Sequence, residues 1–293
     1  MIVSKEEIFK IIDKYMSQDE EFYLELLKKI IKEPERYFGV FRLSKLKNKL
    51  IQNITQSREI RFGNILEDIV SKYLEKMGYE NINKNLGKNE QNQVLKTDQF
   101  FKNNSNSNIL YMVEMKVRDD HDSAKKWGEF KKFKSKISLI KKQNPNKLIK
   151  AIMWFVDENF DKNQKYYREE IQKLNIENVE LYLFYGSEFF SILKNGNNSW
   201  NELIDSITDY KKNKIQNEII DLNFGKNPEV LKALVKLGNK NWNKLISEDL
   251  IYKQLRQEIF SDGDNLSKAK KERESLQTTK KKEGKNGQFR NKK

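Results

Sequence analysis

Glu114 and Lys116 stand two residues apart in the run Ile109–Val117 (ILYMVEMKV). Side chains in a strand alternate between faces, so Leu110, Met112, Glu114 and Lys116 share one face of such a strand. Ile109, Tyr111, Val113, Met115 and Val117 share the other. The second face is wholly apolar and must be buried; the first begins apolar and ends in a carboxylate and an ammonium. Apolar runs on both faces predict a central strand. Charges at its end are costly unless they are paired or hold a metal. One reading is a salt bridge across the strand end. The other brings in Asp98, which lies in a polar stretch able to form the preceding hairpin strand and return beside Glu114. Two carboxylates meeting at a sheet edge make a hard oxygen site suited to Mg²⁺. Lys116, one step along the same face, could orient an attacking water and stabilise charge developing on a phosphate. The chemistry open to these three residues is metal-assisted hydrolysis of a phosphodiester.

The elements around them are predicted from periodicity. A helix over 63–77 carries Leu66, Ile69, Val70, Tyr73, Leu74 and Met77 as one apolar stripe, closed by Gly78. Glu67 borders that stripe, in line with Gly63, Val70 and Leu74, where a carboxylate could reach a site on the sheet; Asp68 points to solvent. Residues 81–101 read as a loop and a hairpin strand containing Val94 and Leu95. Ser123 caps a helix to about Ile140, with Trp127, Phe130, Phe133 and Ile137 facing the core and Lys125, Lys126, Lys131, Lys132 and Lys134 on other sides. Strands at Lys150–Val156 and Val179–Tyr185 flank a helix at about 163–174. That order is α/β with a mixed sheet. Between the central strand and its helix, Asp119, Asp120 and Asp122 surround the single histidine, His121; the acids could cap the helix or pair with Arg118, and the histidine could orient a water or touch a phosphate.

Composition narrows the classes. The 293 residues carry a net charge of +14, with 48 lysines and nine arginines, which favours a polyanionic partner; abundant Lys, Asn and Ile also fit an AT-rich genome. No cysteine is present, which removes disulfides, zinc–thiolate sites and cysteine nucleophiles. One histidine cannot furnish the nuclease sites that need two. The N-terminal run MIVSKEEIFK is too polar for a signal peptide and no stretch is apolar enough for a membrane span, so a cytoplasmic protein is expected. Four stretches are predicted: helical residues 1–57, an α/β core over 58–195, a helical region over 196–262 with Pro228 opening a helix, and a basic tail over 263–293 too poor in apolar residues to order itself.

Asp98, Glu114-x-Lys116 on a strand, and a preceding helix bearing Glu67 together resemble the PD-(D/E)xK nuclease superfamily. The run Val113–Lys126 (VEMKVRDDHDSAKK) and the stretch Leu181–Phe190 (LYLFYGSEFF) resemble, more narrowly, its bacterial type II restriction endonucleases. The resemblance spans about 58–195; Thr97 stands where the superfamily often has proline. It implies a restriction-endonuclease-like mixed β-sheet core flanked by helices, with helical N- and C-terminal additions. It implies Asp98 and Glu114 as metal ligands, Lys116 as the catalytic lysine and Glu67 as an accessory acid. Expected with it are Mg²⁺, with Mn²⁺ as a substitute, duplex DNA as substrate, a homodimer, and a cognate DNA methyltransferase as genetic partner. Lys125, Lys126, Lys131 and Lys132 would hold phosphates. The alternatives are a repair, recombination or transposon nuclease of the same superfamily, and a basic nucleic-acid-binding protein whose Glu-x-Lys is only a salt bridge.

Overall fold

A computed structural model describes residues 1–216 and 220–290, except for the side chains of Phe38, Asn197 and residues 279–290. The chain opens with helices α1 (Lys5–Met16), α2 (Glu20–Lys32), α3 (Glu35–Phe38) and α4 (Leu46–Lys76). Strands β1 (Tyr79–Asn81), β2 (Asn85–Lys88), β3 (Val94–Lys96), β4 (Gln99–Asn103) and β5 (Asn106–Lys116) follow. Next come α5 (Ser123–Gln143), β6 (Leu148–Phe155), α6 (Gln164–Gln172), β7 (Val179–Tyr185), α7 (Glu188–Ser191) and α8 (Gly196–Tyr210). The last are α9 (Pro228–Lys236), α10 (Asn239–Leu245), α11 (Leu250–Phe260) and α12 (Asn265–Arg290). They gather into two units: residues 1–15 with 60–216, and residues 16–59 with the described residues from 220 onward.

The first unit is built on a five-stranded sheet in the order β1-β4-β5-β6-β7. The strand read as central is the middle one. β4 meets it antiparallel, while β6 and β7 continue in parallel, so the mixed sheet changes from hairpin to crossover pairing at β5. Alternation decides the two faces. Ile149, Ala151, Met153 and Phe155 of β6 pack with Leu110 and Met112 of β5 against Phe130, Phe133, Ile137 and Ile140 of α5. On the opposite face Trp154 lies 4.5 Å from Phe189, and Tyr73 of α4 meets Phe190 edge-on at 5.7 Å. After β7 the chain turns at Gly186, whose φ of +50° suits glycine; a Cβ there would also strike the Glu158 side chain. Val94 and Leu95 form β3 as predicted, but it pairs with β2 in a separate two-stranded ribbon; the strand opposite β5 is β4.

Trp127 departs from its predicted core position and is 61% exposed. At ~100° per residue, the buried stripe Phe130, Phe133, Ile137, Ile140 is centred about a quarter turn away from it. Lys136 lies on the other flank of that stripe and is buried.

The second unit is helical. Leu27, Ile30 and Ile31 of α2, Leu50 and Ile54 of α4, Val230 and Leu234 of α9 and Leu255 of α11 share one core. Pro228 opens α9 as predicted, and Asn227 caps it by accepting from the Glu229 and Val230 amides. The basic tail was expected to lack order from 263, yet α12 runs over Asn265–Arg290. Ala269 and Arg273 of α12 are buried, and Leu266 packs against the core. Spacings of three and four place these residues on one helix face, a seam hidden by the basic composition. Arg273 donates to the carbonyls of Leu234 (3.2 Å), Val235 (2.5 Å) and Leu237 (2.6 Å), ending α9, and lies over the Trp242 ring at 4.7 Å. Arg273→Ala is expected to cost about 3 kcal/mol, the range for lost hydrogen bonds to a charged group, read as a lower unfolding midpoint. An unchanged midpoint would show that α12 adds nothing to this unit. No described helix is long and apolar enough to cross a membrane.

Candidate active site

The hairpin formed by β4 and β5 brings the acids together. Gln99 pairs with Val113, so Asp98, one residue earlier, comes opposite Glu114 on the face that α5 covers. The Met115 amide donates to Asp98 Oδ2 at 2.6 Å and fixes that carboxylate. Glu114 is 4% exposed. Lys116 Nζ donates to its Oε1 at 2.8 Å, and the Lys136 ammonium reaches Oε2 from α5. Lys116 also lies 3.3 Å from Glu129 of α5. The expected acid pair and lysine are therefore brought together where β4 begins and β5 ends.

Their titration follows from this packing. Burial, then the Glu114 charge, push the Asp98 pKa up to about 7, against a smaller opposing effect of Lys116. Burial likewise opposes the Glu114 charge, but Lys116 and Lys136 outweigh it and hold its pKa below the usual carboxylate range. Burial would lower the Lys116 pKa; Glu114 and Asp98 overcome that and raise it. Glu67 sits on α4 with its side chain 30% exposed and Lys84 at 3.6 Å. Burial raises its pKa, and its charge reaches Asp98, so the third expected acid borders the same site.

The donor chemistry fits a hard divalent cation. Asp98 is a half-buried carboxylate beside the charged Glu114, and a divalent cation there would offset the burial and the repulsion that raise its pKa. Among the described residues no cluster of three or more His, Cys, Asp or Glu side chains is arranged for a metal. Asp98 and Glu114 would thus give two protein oxygens, which suits Mg²⁺ because it keeps several of its waters. A cation held by Glu114 would share oxygens that already pair with the Lys116 and Lys136 ammonium groups.

Of the four lysines expected at phosphates, Lys125, Lys131 and Lys132 are exposed on α5. Lys126 is half-buried, with its ammonium over the Tyr166 ring at 4.6 Å. The members of the acidic loop have separate roles. Asp122, rather than Ser123, caps α5 by accepting from the Lys125 amide at 2.8 Å. Asp119 is fully buried and accepts from the Asn163 amide and side chain and from the Tyr185 hydroxyl, tying the end of β5 to α6 and β7. Burial and then Lys125 lower the His121 pKa.

Lys136, Glu129 and Gln99 were not read from the sequence. Glu129, Phe133, Lys136 and Ile140 recur at helical spacing, and a lysine on a buried stripe signals a buried partner. Gln99 is buried, donates to the Glu67 carbonyl at 2.7 Å and accepts from Ser71, holding α4 against β4. Lys136→Met should lower stability by about 3 kcal/mol, the lower end for breaking a buried pair. In Glu114→Gln the same change should cost less. Additive effects in that double-mutant cycle would mean that the two groups do not couple.

A mixed sheet with an acid pair and a lysine where hairpin pairing gives way to crossover pairing places the protein in a class, the restriction-endonuclease-like PD-(D/E)xK nucleases. Comparison with protein families narrows this. The family model of the HinfI type II restriction endonuclease matches residues 4–89 and 77–211, and the chain belongs to that family. No curated protein and no solved structure matches it.

Proposed function

We propose that the protein is a type II site-specific deoxyribonuclease that hydrolyses phosphodiester bonds of duplex DNA with Mg²⁺ held by Asp98 and Glu114. The placement of Asp98 against Glu114 and Lys116 carries this reading. When bound, Mg²⁺ (or Mn²⁺) supplies Lewis-acid polarisation and charge neutralisation at the scissile phosphate. Lys116 holds a proton-rich donor at the same site, where it orients the attacking water and stabilises charge on the phosphate. Lys136 keeps Glu114 ionised, and Glu67 adds negative charge beside Asp98. Lys125, Lys126, Lys131 and Lys132 bind backbone phosphates without reading sequence. Cutting both strands of a symmetric site calls for two copies of the chain related by a twofold axis, and self-protection calls for a cognate methyltransferase. The test is incubation with plasmid DNA in Mg²⁺, Mn²⁺, Ca²⁺ and chelator. Discrete fragments in Mg²⁺ and Mn²⁺ are expected, with none in chelator. Cleavage undiminished by chelator would overturn the metal mechanism.

A further inference from the structure

The segment between α3 and α4 exposes apolar side chains to an extent found nowhere else among the described residues. Val40 is 92% exposed, Phe41 101% and Leu43 105%. The loop is nonetheless anchored at both ends. Tyr37 is buried and its hydroxyl accepts from Asn53 at 2.8 Å, while Leu46 and Leu50 are buried in the core of the second unit. The Arg42 amide donates to the Gly39 carbonyl at 2.9 Å, closing a turn that presents the tip. A fixed base with an apolar tip in water is disfavoured unless something covers the tip.

The charge around the tip identifies the occupant. From Arg36 to Arg58 the chain has six cations and no carboxylate. Arg42, Lys45 and Lys47 are exposed, and none of them makes an ion pair with a described residue. Helix α4 starts at Leu46 with no acidic residue in its first turn, so its positive dipole end adds to the same field. A second copy docked here about a twofold axis would bring like charges together. A polyanion with an apolar interior answers both features, and duplex DNA has phosphates outside and stacked bases inside.

We propose that residues 40–47 form a wedge that enters duplex DNA from the minor groove: Phe41 and Leu43 part a base step while Arg42, Lys45 and Lys47 hold the flanking phosphates. This rests on the reading of the protein as a DNA endonuclease and adds a means of discrimination. Unstacking is cheapest at flexible pyrimidine–purine steps, so a wedge favours sequences by their deformability, without hydrogen bonds to base edges.

The test uses the full chain in Ca²⁺, which supports binding while cutting is held off. Rotation–extension curves of a single torsionally constrained duplex report unwinding, and titrations across salt report phosphate contacts. The wild type should shift the curve toward unwinding. Phe41→Ala/Leu43→Ala should lose that shift, bind about tenfold more weakly and keep the wild-type salt slope. Arg42→Gln/Lys45→Gln/Lys47→Gln should reduce the slope by about 0.9 for each phosphate no longer held. All these side chains are exposed, so unchanged unfolding midpoints confirm intact folds. A Phe41→Ala/Leu43→Ala protein that unwinds and binds like wild type overturns the wedge while leaving the endonuclease reading intact. So does one that changes from dimer to monomer without DNA, which assigns the tip to a second copy. Loss of binding to anionic phosphatidylserine vesicles with unchanged DNA binding also overturns it. A wild type that neither binds nor cuts duplex DNA refutes the endonuclease reading itself.

Discussion

Lys116→Ala is expected to stay folded, to bind DNA specifically in Ca²⁺ and to cut at least ~10²–10³-fold more slowly in Mg²⁺, the typical loss for one charge-stabilising donor. The structure sharpens this by giving Glu114 two lysines. Without Lys116, Lys136 still pairs with the buried carboxylate, so the unfolding midpoint should fall less than in Lys136→Met. Two lysines on one carboxylate thus separate a stabilising partner from a chemical one. If the pair were only a salt bridge, Lys116→Ala would lose stability and keep its cleavage rate. Cleavage and thermal unfolding measured on the same samples decide the matter; a well-folded Lys116→Ala that cuts at the wild-type rate would refute the assignment.

Asp98→Asn should separate stability from activity in the opposite direction. Burial and the Glu114 charge push the Asp98 pKa up to about 7, from an ordinary value near 3.8. A carboxyl whose folded pKa is raised contributes stability that is fully present below its unfolded pKa and is lost as pH rises through the folded one. In the metal-free wild type that loss falls between about pH 4 and pH 7. Asparagine stays neutral and can still accept the Met115 amide. Asp98→Asn should therefore flatten this part of the pH–stability curve, unfold at a higher temperature than wild type at about pH 8 in chelator, and cut no DNA. A relief of about 1 kcal/mol would raise the midpoint by about 2–4 °C. Mg²⁺ should stabilise the wild type at that pH but not Asp98→Asn. A variant with the wild-type pH slope, or one still stabilised by Mg²⁺, would refute both the titration and the metal-binding role of Asp98.

The parts of this site that were legible in the sequence are those set by short-range periodicity. Alternation along β5 put Glu114 and Lys116 on one face, and the hairpin returning Asp98 is a local connection. The matching strand at Val179–Tyr185 is a run of mostly apolar and aromatic residues bounded by a turn. What stayed hidden depends on an element's partner. Lys136 resembles its neighbouring surface lysines until β5 is placed opposite it. Trp127 reads as core by type and is turned off the stripe by angle. Asp119 reads as one of three surface acids, because its partners Asn163 and Tyr185 are 44 and 66 residues away. The tail shows the limit of composition: Arg273 is a cation by count, yet it serves as the closing group of α9. The division into two units was illegible too, since the second joins segments on either side of the first unit's main stretch.

That discontinuity bears on the order in which a ribosome releases the protein. The acid pair and its lysines lie within one stretch of fewer than about 40 residues, and such short loops close at little entropic cost. The helical unit must instead wait for partners far downstream. Tyr23 donates to the carbonyl of Asp221, and Tyr252 to that of Ile31, 221 residues earlier. During synthesis, α2 and the first half of α4 therefore remain without their core while the whole sheet emerges and pairs. Their apolar faces are the surface most exposed to misassembly in that interval. The sheet can pair before the helical unit has all its segments, and helices α9 to α12 complete a core that α2 and α4 begin.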